Sequence, residues 1–215
     1  MVDSVRQPST AAVTAIPLGD RRLLMRPHGC FACGELNVSG LHLQLHADAG
    51  VCWAEPTLDE RFMGWEGIAH GGIVCAILDE VMAWALVDED CWGVTAHLSV
   101  DFRRPVPIGR RLRAEGRVLE RRRRVIRTEG RLIDPETGAL YATATATYVD
   151  APPERKDELK RRYEFRVEAA PAPLERTAGD RDDGATPAGA GDEPPPLRPA
   201  AGLGPIRCRD DGADR

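Results

Sequence analysis

The chain has 215 residues, with 29 basic and 34 acidic side chains and a formal net charge of -5. That length supports one ordinary domain plus extensions. The acidic balance argues against nucleic-acid binding, which needs a strongly positive face. No apolar run reaches the roughly 18 uncharged residues that cross a bilayer, so no membrane partner is expected.

From the N-terminus, residues 1–20 are polar and mixed, without the charged-then-apolar order of a signal peptide, and read as a flexible segment. A cytoplasmic location is therefore expected, with the six cysteines reduced rather than paired. "HGCFACG" (28–34) contains Cys30-x-x-Cys33 beside His28. A closed zinc site needs four ligands and no second C-x-x-C exists, so the stretch reads as a structural turn, with no metal or cofactor expected.

"LHLQLHA" (41–47) alternates like a half-buried strand, and "VCWAEP" (51–56) completes a hairpin. A long apolar segment follows from Gly71 to Val87. After it, residues 93–102, 110–120, 124–133 and 139–149 all have strand-like alternation or composition, with short turn-rich links. Two strands, one buried helix and four more strands imply an α+β domain with an antiparallel sheet, spanning residues 21–150. Residues 151–167 are highly charged and read as a short helix outside the core. Residues 168–215 carry 8 prolines, 7 glycines and no aromatic residue. That tail cannot bury enough apolar surface to offset its ordering entropy, so it is expected to be disordered.

Within Gly71–Val87 the charged side chains are Asp79 and Glu80, which are adjacent. Apolar residues surround them on every side, the pattern of an enclosed helix. An unpaired carboxylate there costs several kcal/mol or stays protonated. At least one acid must therefore have a partner, a wet cleft or a subunit boundary. Pairing with an arginine is the plain structural explanation. The preceding "HGG" adds another possibility. A helix that starts on glycines offers unpaired N–H groups to an anion or developing oxyanion. Gly72 and Asp79 share a face but lie two turns apart, roughly 10 Å along the axis. One substrate carbonyl cannot easily touch both, whereas two antiparallel copies in a dimer could bring them together.

"GIAHGGIVCAILDE" (67–80) followed by "VDFRRPVPIG" (100–109) resembles the hotdog-fold acyl-CoA thioesterases of the PaaI-like branch, and "CFACGELNVSGLHLQL" (30–45) is similar to the opening of many bacterial members. The resemblance covers about residues 28–149. It implies a hotdog fold, in which one long central helix is wrapped by a curved antiparallel sheet, in dimers or tetramers with sites across the interface. It implies hydrolysis of acyl-CoA by Asp79, nine positions after His70, as base or nucleophile. Gly71 would polarise the thioester carbonyl through its amide, and His70 would organise the site. Glu80 falls one position past the expected acid and is ranked as supporting.

Related enzymes often carry an amide side chain six residues before the histidine. Here that position is Gly64. Gly72, Arg103 and Arg104 are the expected substrate-binding residues, since arginine suits the phosphates of CoA. The cluster Arg121–Arg124 is a second candidate for that role, or a solvated turn. The rival to hydrolysis is a hotdog domain that binds or senses acyl-CoA without turnover, a reading that Gly64 keeps open.

Overall fold

The computed structural model describes residues 14–87 and 90–170, all belonging to one structural unit that ends at Ala172. Eleven strands and two α-helices occur among them. The strands are β1 (Thr14–Leu18), β2 (Arg21–Met25), β3 (Leu45–Asp48), β4 (Val51–Ala54), β5 (Met63–Trp65), β6 (Ile68–Ala69), β7 (Gly93–Phe102), β8 (Arg113–Arg122), β9 (Val125–Ile133), β10 (Leu140–Asp150) and β11 (Arg166–Ala169). The helices are α1 (Gly71–Trp84) and α2 (Pro153–Arg162).

Nine strands form one sheet in the order β11-β2-β1-β3-β4-β8-β9-β10-β7, while β5 and β6 pair separately. All neighbours in the large sheet are antiparallel except β1 and β3, which meet in parallel at Leu18 and Ala47. This is the hotdog architecture, α+β, with α1 as the filling. Ile77, Leu78, Val81 and Met82 of α1 are fully buried against the sheet.

Two glycines let the helix lie that close. Gly116 of β8 and Gly130 of β9 are register partners. A Cβ at Gly116 would fall 2.6 Å from the Met82 nitrogen and from the Val81 carbonyl. A Cβ at Gly130 would come within 3.1 Å of Met82 Cγ. The missing side chains open a flat bay in which the helix backbone rests on the sheet.

The sheet is wider than the alternation pattern indicated. β1 lies inside the stretch expected to be loose (residues 1–20), so the ordered sheet begins before residue 21. It is held by antiparallel pairing to β2 across Ile16 and Leu23, both buried. The expected strand over 41–47 begins only at Leu45. The residues before it bond a loop instead, Leu41 N–H to Phe31 O at 2.8 Å and Leu43 N–H to Ala32 O at 2.9 Å. Past β10, α2 occupies the charged segment. Its Lys156 ties back to Asp150 at 2.6 Å. β11 then pairs with β2 and extends to Ala169, past the expected start of the tail. Residues 171–215, most of that tail, lie outside the described residues, as do residues 1–13.

β7 ends the sheet on one side. It pairs with β10 alone, and Val94 (70 %) and Phe102 (52 %) are exposed along it.

Candidate active site

α1 begins where the chain leaves β6, and His70 is its N-cap. The His70 Nδ1 accepts the Gly72 N–H at 3.0 Å, so that amide is already used. With Nδ1 accepting, a neutral ring carries its proton on Nε2, and the residue is exposed. The Ile73 N–H turns to the His70 carbonyl at 2.9 Å. Among the described residues, the Gly71 N–H has no acceptor. Of the two glycine amides, Gly71 is therefore the one open to a ligand, whereas the amide of Gly72, expected to bind substrate, is held by His70. A Cβ at Gly71 would lie 3.5 Å from the Phe102 ring, so the start of α1 packs beside the end of β7.

A cleft of about 400 Å³ is lined by Trp65, Gly71, Val74, Phe102, Arg103 and Arg104, among others. It brings together three of the residues expected to bind substrate or oxyanion. Arg103 is 3.8 Å from Asp101, a loose ion pair, and both arginines are exposed. The other arginine cluster is occupied within the fold. Arg121 and Arg124 both engage Asp150, through its carboxylate and its carbonyl respectively, and Arg122 pairs with Glu120.

Asp79 sits two turns further along the same helix, in its middle. Tyr148 donates its hydroxyl to Asp79 Oδ1 at 2.8 Å, with the Asp79 carbonyl at 2.9 Å. Thr95 donates to the same carboxylate at 3.0 and 3.2 Å. These two residues are register partners on β10 and β7, immediately beside an irregularity in that pairing. The shifted register sets both hydroxyls toward the helix. Burial, and then the adjacent Asp79 charge, push the Tyr148 phenol well above its ordinary value, so it remains a donor. Neither residue was singled out from sequence, because threonine and tyrosine in an alternating strand look like ordinary strand formers.

Glu80 points elsewhere. Trp84 donates its indole N–H to Glu80 Oε1 at 2.8 Å. Cys30 Sγ lies 3.8 and 3.9 Å from the two carboxylate oxygens. Burial, followed by the charge on Cys30, raises Glu80 to about 7. The Cys33 thiol donates to Cys30 and is the largest reason that Cys30 is lowered to about 5, while Cys33 itself is pushed up. No arginine or lysine pairs with either Asp79 or Glu80 among the described residues, so the plain structural explanation for the two acids does not hold.

Gly64 packs directly on the site. A Cβ there would meet the His70 Cα at 3.0 Å and its ring at 3.4 Å. The amide side chain seen at this position in related enzymes would need His70 to shift.

Residues 66–141, which contain His70, Gly71, Asp79, Arg103 and Arg104, match the family model described as the thioesterase superfamily. The matched stretch, about a third of the chain, is similar to that superfamily. A solved structure described as a thioesterase superfamily protein aligns at 26 % identity and a TM-score of 0.54, covering 58 % of this chain and 64 % of its own. The aligned part thus spans just under two thirds of that relative. Zebra fish thioesterase superfamily member 2 aligns at 18 % identity and a TM-score of 0.51, covering 55 % of this chain and 90 % of its own, and shows the shared fold. The PaaI protein of the E. coli phenylacetic acid degradation operon aligns at 18 % and 0.49, over 52 % of this chain and 81 % of its own. No curated protein matches. The candidate oxyanion donor, Gly71, opens α1, and the candidate base, Asp79, lies two turns further along it.

Proposed function

We propose that the protein hydrolyses acyl-CoA thioesters to a free acid and CoA, as a member of the PaaI-like branch. The observation that carries this reading is the division of α1. An open Gly71 amide fronts a cleft with two arginines, and a carboxylate held by Tyr148 and Thr95 stands two turns along the helix. Eight residues separate Gly71 from Asp79, about 12 Å along a helix. A single copy cannot apply both to one carbonyl. A second copy docked along the open β7 edge, antiparallel to the first, would complete each site with the partner's acid. The functional unit proposed is therefore a homodimer or a pair of such dimers.

The chemistry then needs no cofactor. Asp79 takes a proton from water as the water oxygen attacks the thioester carbonyl carbon. The oxyanion that forms is stabilised by the Gly71 N–H and the positive end of α1. When the tetrahedral intermediate collapses, the C–S bond breaks and CoA leaves as a thiolate, which takes up the proton. His70 fixes the first turn by holding the Gly72 amide and turns its Nε2–H outward. Arg103 and Arg104 sit where the phosphates of CoA would meet the cleft. Because Gly64 carries no side chain to hold the attacking water, Asp79 and its two hydroxyl neighbours bear that positioning.

The test is thiol release from short, long and aromatic acyl-CoAs by the wild type and by Asp79→Asn. Loss of a general base predicts a fall in kcat of about 10²–10⁴ with little change in KM. The asparagine keeps an oxygen for Tyr148 and Thr95, so folding should be preserved. Hydrolysis that survives the substitution refutes Asp79 as base. Acyl-CoA binding without turnover by the wild type would instead establish the non-catalytic reading.

A further inference from the structure

Glu80 and the 28–34 turn are not used by this mechanism, yet they meet closely. The structure assigns them a site of their own: we propose that Cys30 Sγ, Cys33 Sγ and the Glu80 carboxylate bind one zinc ion, with a fourth position open to the adjoining cavity.

The three ligand atoms lie within 4.8 Å of one another. An ion bound tetrahedrally at about 2.3 Å from sulfur and about 2.0 Å from oxygen would set S···O near 3.5 Å. The Cys30–Glu80 separations of 3.8 and 3.9 Å need to close by only a few tenths of an ångström. The donor set, two thiols and one carboxylate, suits zinc and other thiophilic ions over magnesium or calcium.

The turn is built to present both sulfurs to one side. The Gly34 N–H closes it on the Cys30 carbonyl at 3.0 Å. A Cβ at Gly34 would stand 2.4 Å from the Cys30 nitrogen and from the His28 carbonyl, so only glycine fits. Leu41 and Leu43 pin the turn to the start of β3 through the Phe31 and Ala32 carbonyls.

Electrostatics supplies a reason for a cation. Three groups that would repel one another if all were ionised meet between the 28–34 turn and α1, and a bound cation would compensate their charge. Arg26 and Arg162 line the same cavity, but neither pairs with Glu80. The cavity, about 610 Å³, reaches Cys30, Cys33, Glu80 and His28. His28 Nε2 is buried there with no hydrogen-bond partner among the described residues, which points independently to a polar occupant such as a zinc-bound water. His28 Nδ1 already accepts the Cys30 N–H at 3.3 Å and orients the ring beside the turn. At the level of sequence the ligand count spoke against a metal. Glu80, fifty residues away, raises it to three, the number typical of zinc sites that keep an open position.

The experiment loads the reduced full-length protein with zinc sulfate, removes free metal, and measures bound zinc by mass spectrometry and the ligand shell by X-ray absorption. About one zinc per chain, with two sulfurs and lighter O/N ligands, is expected. Cobalt loading should give the intense visible bands of a tetrahedral thiolate site. Cys30→Ser, Cys33→Ser and Glu80→Gln should each weaken zinc binding at least tenfold, whereas Cys75→Ser, off the site, should not. Circular dichroism checks that each variant is folded. Glu80→Gln, which changes the shape least, keeps the test decisive if a serine variant does not fold. Sub-stoichiometric zinc in the reduced wild type, or a Glu80→Gln protein that binds zinc as tightly as wild type, overturns the proposal.

Discussion

Removing the Tyr148 hydroxyl tests whether Asp79 is held for a purpose. Tyr148 is fully buried, so Tyr148→Phe deletes one oxygen without opening the ring's packing. The lost donor sits 2.8 Å from a carboxylate oxygen and 2.9 Å from a helix carbonyl. A hydrogen bond to a charged group contributes about 1.5–3 kcal/mol. Thr95 still donates to the same carboxylate and water can reach the half-buried acid, so the net loss should fall near 1–2 kcal/mol. For a domain of this size that corresponds to a fall in Tm of about 2–4 °C per kcal/mol, readable by urea or thermal unfolding.

The effect on turnover separates packing from positioning. If the hydroxyl aims Asp79, a similar loss appears in the transition state, and kcat falls about 5- to 30-fold. KM should move little, because Tyr148 is too deep to touch substrate. Thr95→Val should give a smaller effect, and the double variant should be non-additive by about 0.5 kcal/mol or more, since both hydroxyls serve one carboxylate. Unchanged kcat in a destabilised Tyr148→Phe would refute the positioning role and leave only packing.

The other expectations concern the frame. Gly116→Ala places a methyl 2.6 Å from the α1 backbone, so the helix must lift from the sheet. Overpacking of this kind costs about 1–3 kcal/mol or more, whereas Gly29→Ala, with open space around it, should stay within about 0.5 kcal/mol. Equal stability of the two variants would contradict the glycine bay. Asp150 is buried, and burial alone would raise its pKa. Lys156 and the Trp92 amide outweigh that and hold it below the usual carboxylate range. Asp150→Asn should cost about 2–3 kcal/mol at pH 7, the lower end for a broken buried pair because Lys156 and Arg121 still reach water. A lowered folded-state pKa means that this stability is present above the unfolded value and is lost as pH falls through the folded one. The gap between wild type and variant, measured by urea unfolding, should therefore narrow below about pH 4; a gap independent of pH would refute the linkage.

Much of this frame is readable in one dimension. The isolation of Asp79 and Glu80 in an apolar run marks α1, and the alternation over 93–102, 124–133 and 139–149 matches β7, β9 and β10 closely. β1 and β2 escape notice because each has only five residues, and the strand that covers the outer edge of β2, β11, comes from more than 140 residues further along. The same holds at the site. Nothing local distinguishes Thr95 from the other threonines of the sheet. Its role follows from an irregular register that sets it opposite Tyr148. Cys30 and Cys33 look like half of a metal site because the third donor belongs to a helix. At Gly72 the gap is of another kind: a glycine amide looks open in sequence, and only the His70 side chain shows that it is held.

The adjacency of the two acids follows from helix geometry. Consecutive residues on an α-helix diverge by about 100°, so neighbours in sequence serve different surfaces. Asp79 faces β10 and the open β7 edge, while Glu80 faces the 28–34 turn, which belongs to the same chain. The two sites should therefore respond differently to assembly. Under the proposed mechanism, catalysis needs a second copy to bring an amide and an acid to one carbonyl. Zinc binding draws every protein ligand from a single chain. A charged substitution at exposed Val94 of β7, which does not line the cleft, should abolish thioester hydrolysis in parallel with dimer loss, followed by sedimentation, and leave zinc stoichiometry unchanged. A monomeric variant that retains full turnover would show that each chain completes its own site, and the division of α1 would then need another explanation.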